Sequence, residues 1–316
     1  MKKKLCIIGA IVCVVITIAL YLAANYMLRF ALTPVERVSR AEYITMAGER
    51  SPELKDWLDS INENGILRDT FIVNGQGVKL HAYLLPSPYP TTRTAVVVHG
   101  YTDYALKFLT IGYIYNQRFL CNVIMPDLYA HGLSEGDAIQ MGWKDRLDVK
   151  RWTQVAHEAF ASDTIFVHGV SMGAATTMML SGEEDLPKYV RAFVADCGYT
   201  SAWDEFAGQL KEQFGLPPFP VLYASSWLCK ARYGWSFKEA SALESVKHCE
   251  RPIFFIHGDA DTFVPTAMVY ELYKAKPEPK DIWIVPGVKH ARAAYDAPLE
   301  YPSYLRIFYN KHGLMP

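Results

Sequence analysis

The chain has 316 residues, of which 51% are hydrophobic and 13% aromatic, which is enough apolar material for a sizeable buried core. Its 32 basic and 33 acidic residues give a formal net charge of −1. This balance excludes the strongly basic composition typical of nucleic-acid-binding proteins, so a small neutral or mixed molecule is the expected ligand.

The N-terminus differs from this average. Three lysines, Lys2 to Lys4, precede an uncharged run from Leu5 to Leu28. A bilayer core requires roughly 20 apolar residues in a helix, so we predict a signal anchor over residues 1–28. The positive-inside rule keeps the lysines in the cytoplasm and predicts a single-pass protein of the cell membrane with its main domain extracytoplasmic. A cleaved signal peptide, with Ala23 and Ala24 near the cleavage site, is the alternative.

Residues 29–67 are charged and compatible with helix, and we predict that they link the anchor to a domain over 68–316. Ser51 followed by Pro52 and Glu53 is typical of a helix start. Two short alternating segments then flank the turn-prone sequence NGQG, which predicts a β-hairpin.

From Thr94 onwards, short apolar segments alternate with longer segments of helical period. Continuous apolar strands separated by helices predict an α/β fold, with a mostly parallel sheet covered by helices on both faces. The predicted strands lie in AVVVHG, NVIMPD, TIFVHG, AFVADC, PIFFIHG and DIWIVPG. The predicted helices are Tyr104 to Gln117, Trp143 to Phe160, Met172 to Gly182, Pro265 to Lys276 and Pro302 to Lys311.

A segment at about residues 201–246 is too long for a plain loop between the fourth and fifth of these strands. It is rich in aromatic residues interrupted by LPPFP. We predict a helical cap over the edge of the sheet, with most of these aromatics in the cap's own core and a minority lining a pocket.

The sharpest motif is GVSMG at Gly169 to Gly173, which lies directly after a predicted strand and directly before a predicted helix. A serine in G-x-S-x-G at such a turn is held in a strained elbow that exposes its hydroxyl. Ser171 is therefore the candidate nucleophile, and a plain helix cap is the alternative reading.

A serine hydroxyl needs an imidazole to accept its proton and a carboxylate to orient that imidazole. His290, in GVKH after the last predicted strand, is the candidate base. Asp261, in HGDADTFVP after the preceding strand, is the favoured acid, while Asp259 and Asp196 remain competitors. Asp259 is expected to brace its own tight turn.

The other candidates are assigned structural or backbone roles. His99, His168 and His257 end strands and are expected to form hydrogen bonds within loops, and the same holds for His131 in DLYAHGLSEG. The backbone N–H groups of Tyr101 and Met172 are the candidate oxyanion-hole donors.

The six cysteines do not form the pattern of a disulfide framework. Cys121 and Cys197 are expected to be buried thiols at strand ends, whereas Cys229 and Cys249 have the option of pairing in an oxidising compartment. No CxxC or HExxH spacing suggests a metal site.

The motifs HGYTD, DLYAHGLSEG, GVSMG, HGDADTFVP and GVKH together resemble those of the α/β-hydrolase superfamily, from about Phe71 to His312. Within it the chain resembles membrane-anchored esterases and prolyl-oligopeptidase-like hydrolases of bacteria. The resemblance implies Ser171, Asp261 and His290 as the triad, the amides of Tyr101 and Met172 as the oxyanion hole, and no cofactor.

The favoured function is therefore a serine hydrolase that cleaves carboxylic esters through an acyl-enzyme. A serine peptidase acting on short peptides is the second reading, since it uses the same groups. A non-catalytic surface binding module is the third.

Overall fold

The computed structural model describes residues 2–315, and in it one eight-stranded sheet organises the main domain. The strands run β1 (Arg68–Val73), β2 (Lys79–Leu85), β3 (Arg93–Val98), β4 (Asn122–Pro126), β5 (Thr164–Val170), β6 (Val190–Asp196), β7 (Ile253–Gly258) and β8 (Lys280–Val285). Their spatial order is β1-β2-β4-β3-β5-β6-β7-β8, with β2 antiparallel to both neighbours and the remaining pairs parallel. The predicted hairpin and the six predicted strands are confirmed.

Helices cover both faces of this sheet, as predicted for an α/β fold. They are α1 (Lys2–Leu32), α2 (Arg40–Arg50), α3 (Lys55–Glu63), α4 (Leu109–Tyr113), α5 (Asp145–Phe160), α6 (Met172–Ser181), α7 (Ala202–Phe214), α8 (Val221–Tyr233), α9 (Ala242–Val246), α10 (Ala267–Ala275), α11 (Ala293–Asp296) and α12 (Glu300–Lys311). Alternate side chains of each strand face opposite helix layers: in β3, Val96 and Val98 join one buried cluster and Ala95 and Val97 the other.

One predicted helix is less regular than expected. In place of a continuous helix from Tyr104 to Gln117, the structure has a 3₁₀ turn (Ala105–Phe108), the short α4 and a π turn (Ile114–Arg118). A buried carboxylate explains the irregular start, because Asp127 accepts a hydrogen bond from the backbone N–H of Ala105 at 2.8 Å. The segment therefore follows contacts to the loop after β4 rather than its own helical period.

The stretch 29–67 is mainly helical, and many of its apolar side chains belong to the core of the domain. α2 buries Tyr43 and Ala47, and α3 buries Leu58 and Ile61, all within the cluster that packs on one face of the sheet. Ser39 caps α2 in a capping box with Glu42. The segment that the sequence indicates as a linker is thus packed against the domain along most of its length.

α1 combines two different environments. Among the helices of residues 2–315, α1 is the one that is long enough and apolar enough to cross a bilayer. Its length and composition suit either a membrane anchor or a signal peptide. Residues 5–19 are exposed, whereas Ala24, Leu28 and Leu32 are buried in the core cluster. The last turns of α1 therefore pack as part of the domain.

Candidate active site

The turn between β5 and α6 holds Ser171 in a strained backbone conformation, with φ 57° and ψ −119°. A Cβ atom at Gly169 would lie 1.9 Å from the carbonyl oxygen of Gly173, and one at Gly173 would lie 2.2 Å from that of Val98. Only glycine fits at both positions, because the chain crosses itself this closely. The elbow predicted from GVSMG is the local geometry that the structure has.

The structure brings Ser171, His290 and Asp261 together. Nε2 of His290 lies 2.8 Å from Oγ of Ser171, and its Nδ1 lies 2.7 Å from Oδ2 of Asp261. Ser171 follows β5, Asp261 follows β7 and His290 follows β8, so the three leave the sheet at its carboxyl edge. This geometry can move a proton from the hydroxyl to the imidazole while the carboxylate holds the ring in one tautomer.

Asp261 is buried, and protein hydrogen-bond donors stabilise its negative charge. Its Oδ1 accepts hydrogen bonds from the backbone N–H groups of Phe263 and Val264, each at 3.0 Å. Burial on its own raises the pKa of this carboxyl, but hydrogen bonds from His257 and His290 outweigh it and bring the pKa down to about 2. The carboxylate is therefore charged at neutral pH.

The two competing acids are engaged elsewhere. Asp259 accepts a hydrogen bond from the backbone N–H of Gly287 at 2.6 Å, which braces the turn between the loops after β7 and β8. Asp196 accepts a hydrogen bond from the hydroxyl of Tyr301 at 2.8 Å, and burial raises its pKa to about 6. Of the three acids, Asp261 is the one hydrogen-bonded to His290.

The remaining histidines contact neighbouring loops and side chains. Nε2 of His99 accepts a hydrogen bond from the N–H of Leu128 at 2.9 Å, and His168 lies between the hydroxyls of Tyr115 and Tyr301. His257 lies 2.9 Å from the carbonyl oxygen of Val264. These contacts fit the structural roles expected from the sequence.

The loop after β3 lies beside the nucleophile. A Cβ atom at Gly100 would be 3.4 Å from that of Ser171, so the backbone of this loop passes close to the nucleophile just before Tyr101. The next amide, of Thr102, donates a hydrogen bond to Nε2 of His131 at 3.3 Å, which ties this loop to the one after β4. Met172 is the first residue of α6 and is fully buried. Their role as oxyanion-hole donors stays a prediction.

Next to Ser171 lies a cavity of about 220 Å³ with mainly apolar walls. Most of it is contributed by the end of α1, the cap helices α7 and α8, and the loop after β7. Its side chains are Met27, Phe30, Ala31, Tyr101, Met141, Ser171, Tyr199, Glu205, Phe206, Gln209, Leu210, Gln213, Phe214, Val221, Leu222, Ser225, Phe237, Phe263 and Val264. Phe206, Phe214 and Phe237 of the cap line the cavity, as predicted for a minority of the cap aromatics. Phe214, Phe219, Tyr223 and Trp227 are exposed, so fewer of these aromatics lie in the cap's own core than the sequence predicted.

Comparison with known proteins places these features in a family. The sequence profile of the family described as "Alpha/beta hydrolase family" matches residues 95–301, which is more than half of the chain. The chain belongs to this family. It is 26% identical over 295 residues to an uncharacterized protein of Bacillus subtilis, YqkD, a match that covers 92% of each chain. It is 25% identical over 224 residues to the α/β hydrolase domain-containing protein WAV2 of Arabidopsis thaliana, covering 66% of this chain and 67% of that protein.

Solved structures have the same fold. The esterase Pf2001 of Pyrococcus furiosus superposes with a TM-score of 0.63 at 23% identity, covering 79% of this chain and 93% of the esterase. Est1E of Butyrivibrio proteoclasticus, solved with ferulic acid bound, superposes with a TM-score of 0.58 at 16% identity, covering 75% and 98%. At these identities the likeness concerns the fold.

In this α/β hydrolase, two groups of cavity residues were not found from the sequence. Met27, Phe30 and Ala31 belong to α1, whose uniformly apolar sequence does not show which face docks on a domain. Glu205, on the first turn of α7, is buried, and burial raises its pKa to about 8. It is therefore a neutral acid at pH 7. This property depends on burial in the folded cap, so the sequence does not reveal it.

A cluster of metal-ligand types also occurs here. One atom each of Cys197, Asp261 and His290 lies within 4.8 Å of the others. The carboxylate and the ring are already bonded to each other, and burial raises the pKa of the Cys197 thiol well above its ordinary value. Metal ligation requires a thiolate, so this cluster suits the triad contacts better than a metal. Cys229 and Cys249, whose pairing the sequence left open, are both free, buried thiols.

Proposed function

We propose that this α/β hydrolase is a serine esterase that cleaves carboxylic esters through an acyl-enzyme. One observation carries the proposal: a continuous chain of hydrogen bonds runs from Ser171 Oγ through both ring nitrogens of His290 to Asp261. Each bond is at most 2.8 Å, the geometry that nucleophile activation requires.

In the proposed reaction, Oγ of Ser171 bonds to the ester carbonyl carbon while its proton passes to Nε2 of His290. The carbonyl electron pair moves onto oxygen, and we assign the amides of Tyr101 and Met172 to stabilise this oxyanion. The imidazolium then protonates the leaving alkoxide as the C–O bond breaks. Water repeats these steps on the acyl-enzyme, releasing the acid and returning the proton to Ser171.

A serine peptidase is the second candidate, and Glu205 is the observation that favours it. An acid inside the cavity offers an anchor for the N-terminus of a peptide, because transfer of the Glu205 proton to a neutral terminal amine forms an ion pair between the carboxylate and the resulting ammonium group. The raised pKa of Glu205 opposes this reading, because burial holds the acid in its neutral form at pH 7.

A labelling and turnover experiment tests the proposal. The full chain should react with a fluorophosphonate probe and hydrolyse p-nitrophenyl esters faster than aminoacyl nitroanilides, and Ser171→Ala should do neither. Faster cleavage of the nitroanilides would favour the peptidase. Absence of labelling in the folded wild-type chain would contradict a serine hydrolase and leave a binding module as the better reading.

We further propose that α1 is retained as a membrane anchor with the domain extracytoplasmic. The lysines at its start fit the positive-inside rule, and the burial of Ala24, Leu28 and Leu32 disfavours cleavage near Ala23, because cleavage would sever the helix beside its docked turns. The anchor and the hydrolase domain then overlap in the last turns of α1. Alkaline extraction of membranes carrying the full chain distinguishes an anchored domain from a released one.

A further inference from the structure

The last turns of α1 are attached to the loops around the candidate active site. The hydroxyl of Tyr101 donates a hydrogen bond to the carbonyl oxygen of Ala31 at 2.9 Å, and the N–H of Ile139 donates one to that of Leu32, also at 2.9 Å. Tyr101 is the residue whose amide we assign to the oxyanion hole. The same residue thus joins the end of α1 to the reacting centre.

One face of these turns lines the cavity beside Ser171. Met27, Phe30 and Ala31 are cavity residues, and the ring of Phe30 packs edge-on against Phe214 of the cap, with centroids 5.5 Å apart. An apolar wall of this kind binds an acyl chain through the hydrophobic effect.

The rest of α1 has the exposed, apolar surface that is typical of a helix in lipid. Residues 5–19 are exposed and apolar, and Leu22 is still 59% exposed. Met27 follows Leu22 by five residues, which is about 7.5 Å along a helix axis. The cap also exposes aromatic rings, with Phe219 at 71% and Trp227 at 72%, of the kind that favours the membrane interface. The cavity wall therefore begins about one and a half turns beyond the lipid-exposed part of the helix.

The size and polarity of the cavity narrow the class of substrate. Its volume of about 220 Å³ is below the roughly 300–1,000 Å³ of pockets for drug-sized ligands, so it can hold the ester-proximal part of one acyl chain and leave the rest outside. A polar stripe crosses the apolar lining, in which Gln213 donates to Gln209 at 2.7 Å and Gln209 donates to Glu205 at 3.1 Å. Such a stripe can bind the hydroxyl groups of a small polar head.

We propose that the end of the anchor helix forms one wall of the acyl pocket, and that the substrate is a single-chain acyl ester lipid which enters from the bilayer holding that helix. The inference rests on the proposed esterase function and adds the substrate class and its route. Ser171 then acts on the ester carbonyl while the chain lies against Met27 and Phe30.

The test compares two substrates for the full chain reconstituted in phosphatidylcholine vesicles: monooleoylglycerol in the bilayer and p-nitrophenyl acetate in water. Met27→Trp fills the pocket, so the ratio of the oleoyl rate to the acetyl rate should fall at least about tenfold. Leu22→Trp makes the same kind of change on the lipid-exposed part of the helix and should keep the wild-type ratio.

Phe30→Ala is a second variant, which removes a half-exposed ring and, unlike Met27→Trp, adds no volume to the domain. Loss of its contact with the chain should lower the same ratio about fivefold. An unchanged ratio in both pocket variants would overturn the assignment of the wall.

The remaining outcomes separate this inference from the proposed function. Hydrolysis of the acetate with no release of oleate by the wild type would overturn the lipid substrate and leave the esterase standing. Failure to hydrolyse either ester, together with no fluorophosphonate labelling, would instead remove the esterase itself.

Discussion

The loops that carry Ser171, His290 and Asp261 are held by hydrogen bonds of 2.7 to 3.0 Å, whereas the walls from α1 and the cap are built mainly from apolar contacts. Hydrogen bonds have strict geometry, and removing one partner leaves a buried group unpaired. Apolar contacts are less directional and tolerate changes of shape. Changes in the first region should therefore affect the chemical step, and changes in the second should affect which substrate fits.

Removal of the base should have the largest effect on the chemical step. His290→Ala should lower kcat for a soluble ester about 10⁵-fold, because within residues 2–315 His290 is the side chain that is hydrogen-bonded to Oγ of Ser171 and can accept its proton. The thermal midpoint of unfolding should fall by only a few degrees, because Asp261 keeps its hydrogen bonds from His257 and from the backbone N–H groups of Phe263 and Val264. Single-turnover kinetics measure the effect, and residual activity within tenfold of wild type would reject His290 as the base.

The next largest effect should come from the acid. Asp261→Asn should lower kcat by about 10³- to 10⁴-fold, because an amide can hold the imidazole in the wrong tautomer. Asp259→Asn is the matched control two residues away. It keeps an acceptor for the amide of Gly287 and should stay within about threefold of wild type. The opposite ranking of the two variants would transfer the role to Asp259.

The smallest expected effect lies in the cap. Glu205 has its pKa raised from 4.5 to about 8 by burial, so between these values the folded protein holds a proton that the unfolded chain releases. The contribution of Glu205 to the free energy of unfolding therefore falls as pH rises from about 4.5 to 8, and it stays constant above this window. Glu205→Gln should raise the thermal midpoint by about 3 °C near pH 9 and much less near pH 4.5.

Glu212→Gln, at an exposed position on the same helix, serves as control and should show no such trend. A pH-independent difference between wild type and Glu205→Gln would show that the acid is not neutral in the fold. The turnover of short soluble esters should respond far less to Glu205→Gln than to the changes at His290 and Asp261.

The sequence predicts the hydrogen-bonded region well and the apolar region poorly. Ser171 and His290 lie in local motifs whose strand-to-loop context sets their direction, so the fold class and the proximity of these side chains could be predicted together. The choice between Asp261 and Asp259 depends on which carboxylate points toward the ring of His290. Two positions so close together in one loop do not reveal this direction. Glu205 carries no motif, and its perturbed pKa exists only in the closed cap.

The end of α1 illustrates the same limit. Exposed and domain-facing positions of this helix are both apolar, so no periodicity separates Leu22 from Leu28. Only tertiary contacts distinguish them. The irregular turns over residues 105–118 were missed for a related reason, since they depend on the carboxylate of Asp127, which is distant in sequence.

The docked end of α1 also matters for anyone preparing this protein without detergent. A truncation that starts at Arg29 would delete Ala24 and Leu28 from the core and uncover the surface that receives them. Replacing exposed positions between Leu5 and Leu22 by polar residues would solubilise the helix and keep its last turns in place. The start of a well-behaved recombinant fragment is therefore set by the packing of α1, several residues before the apolar run ends.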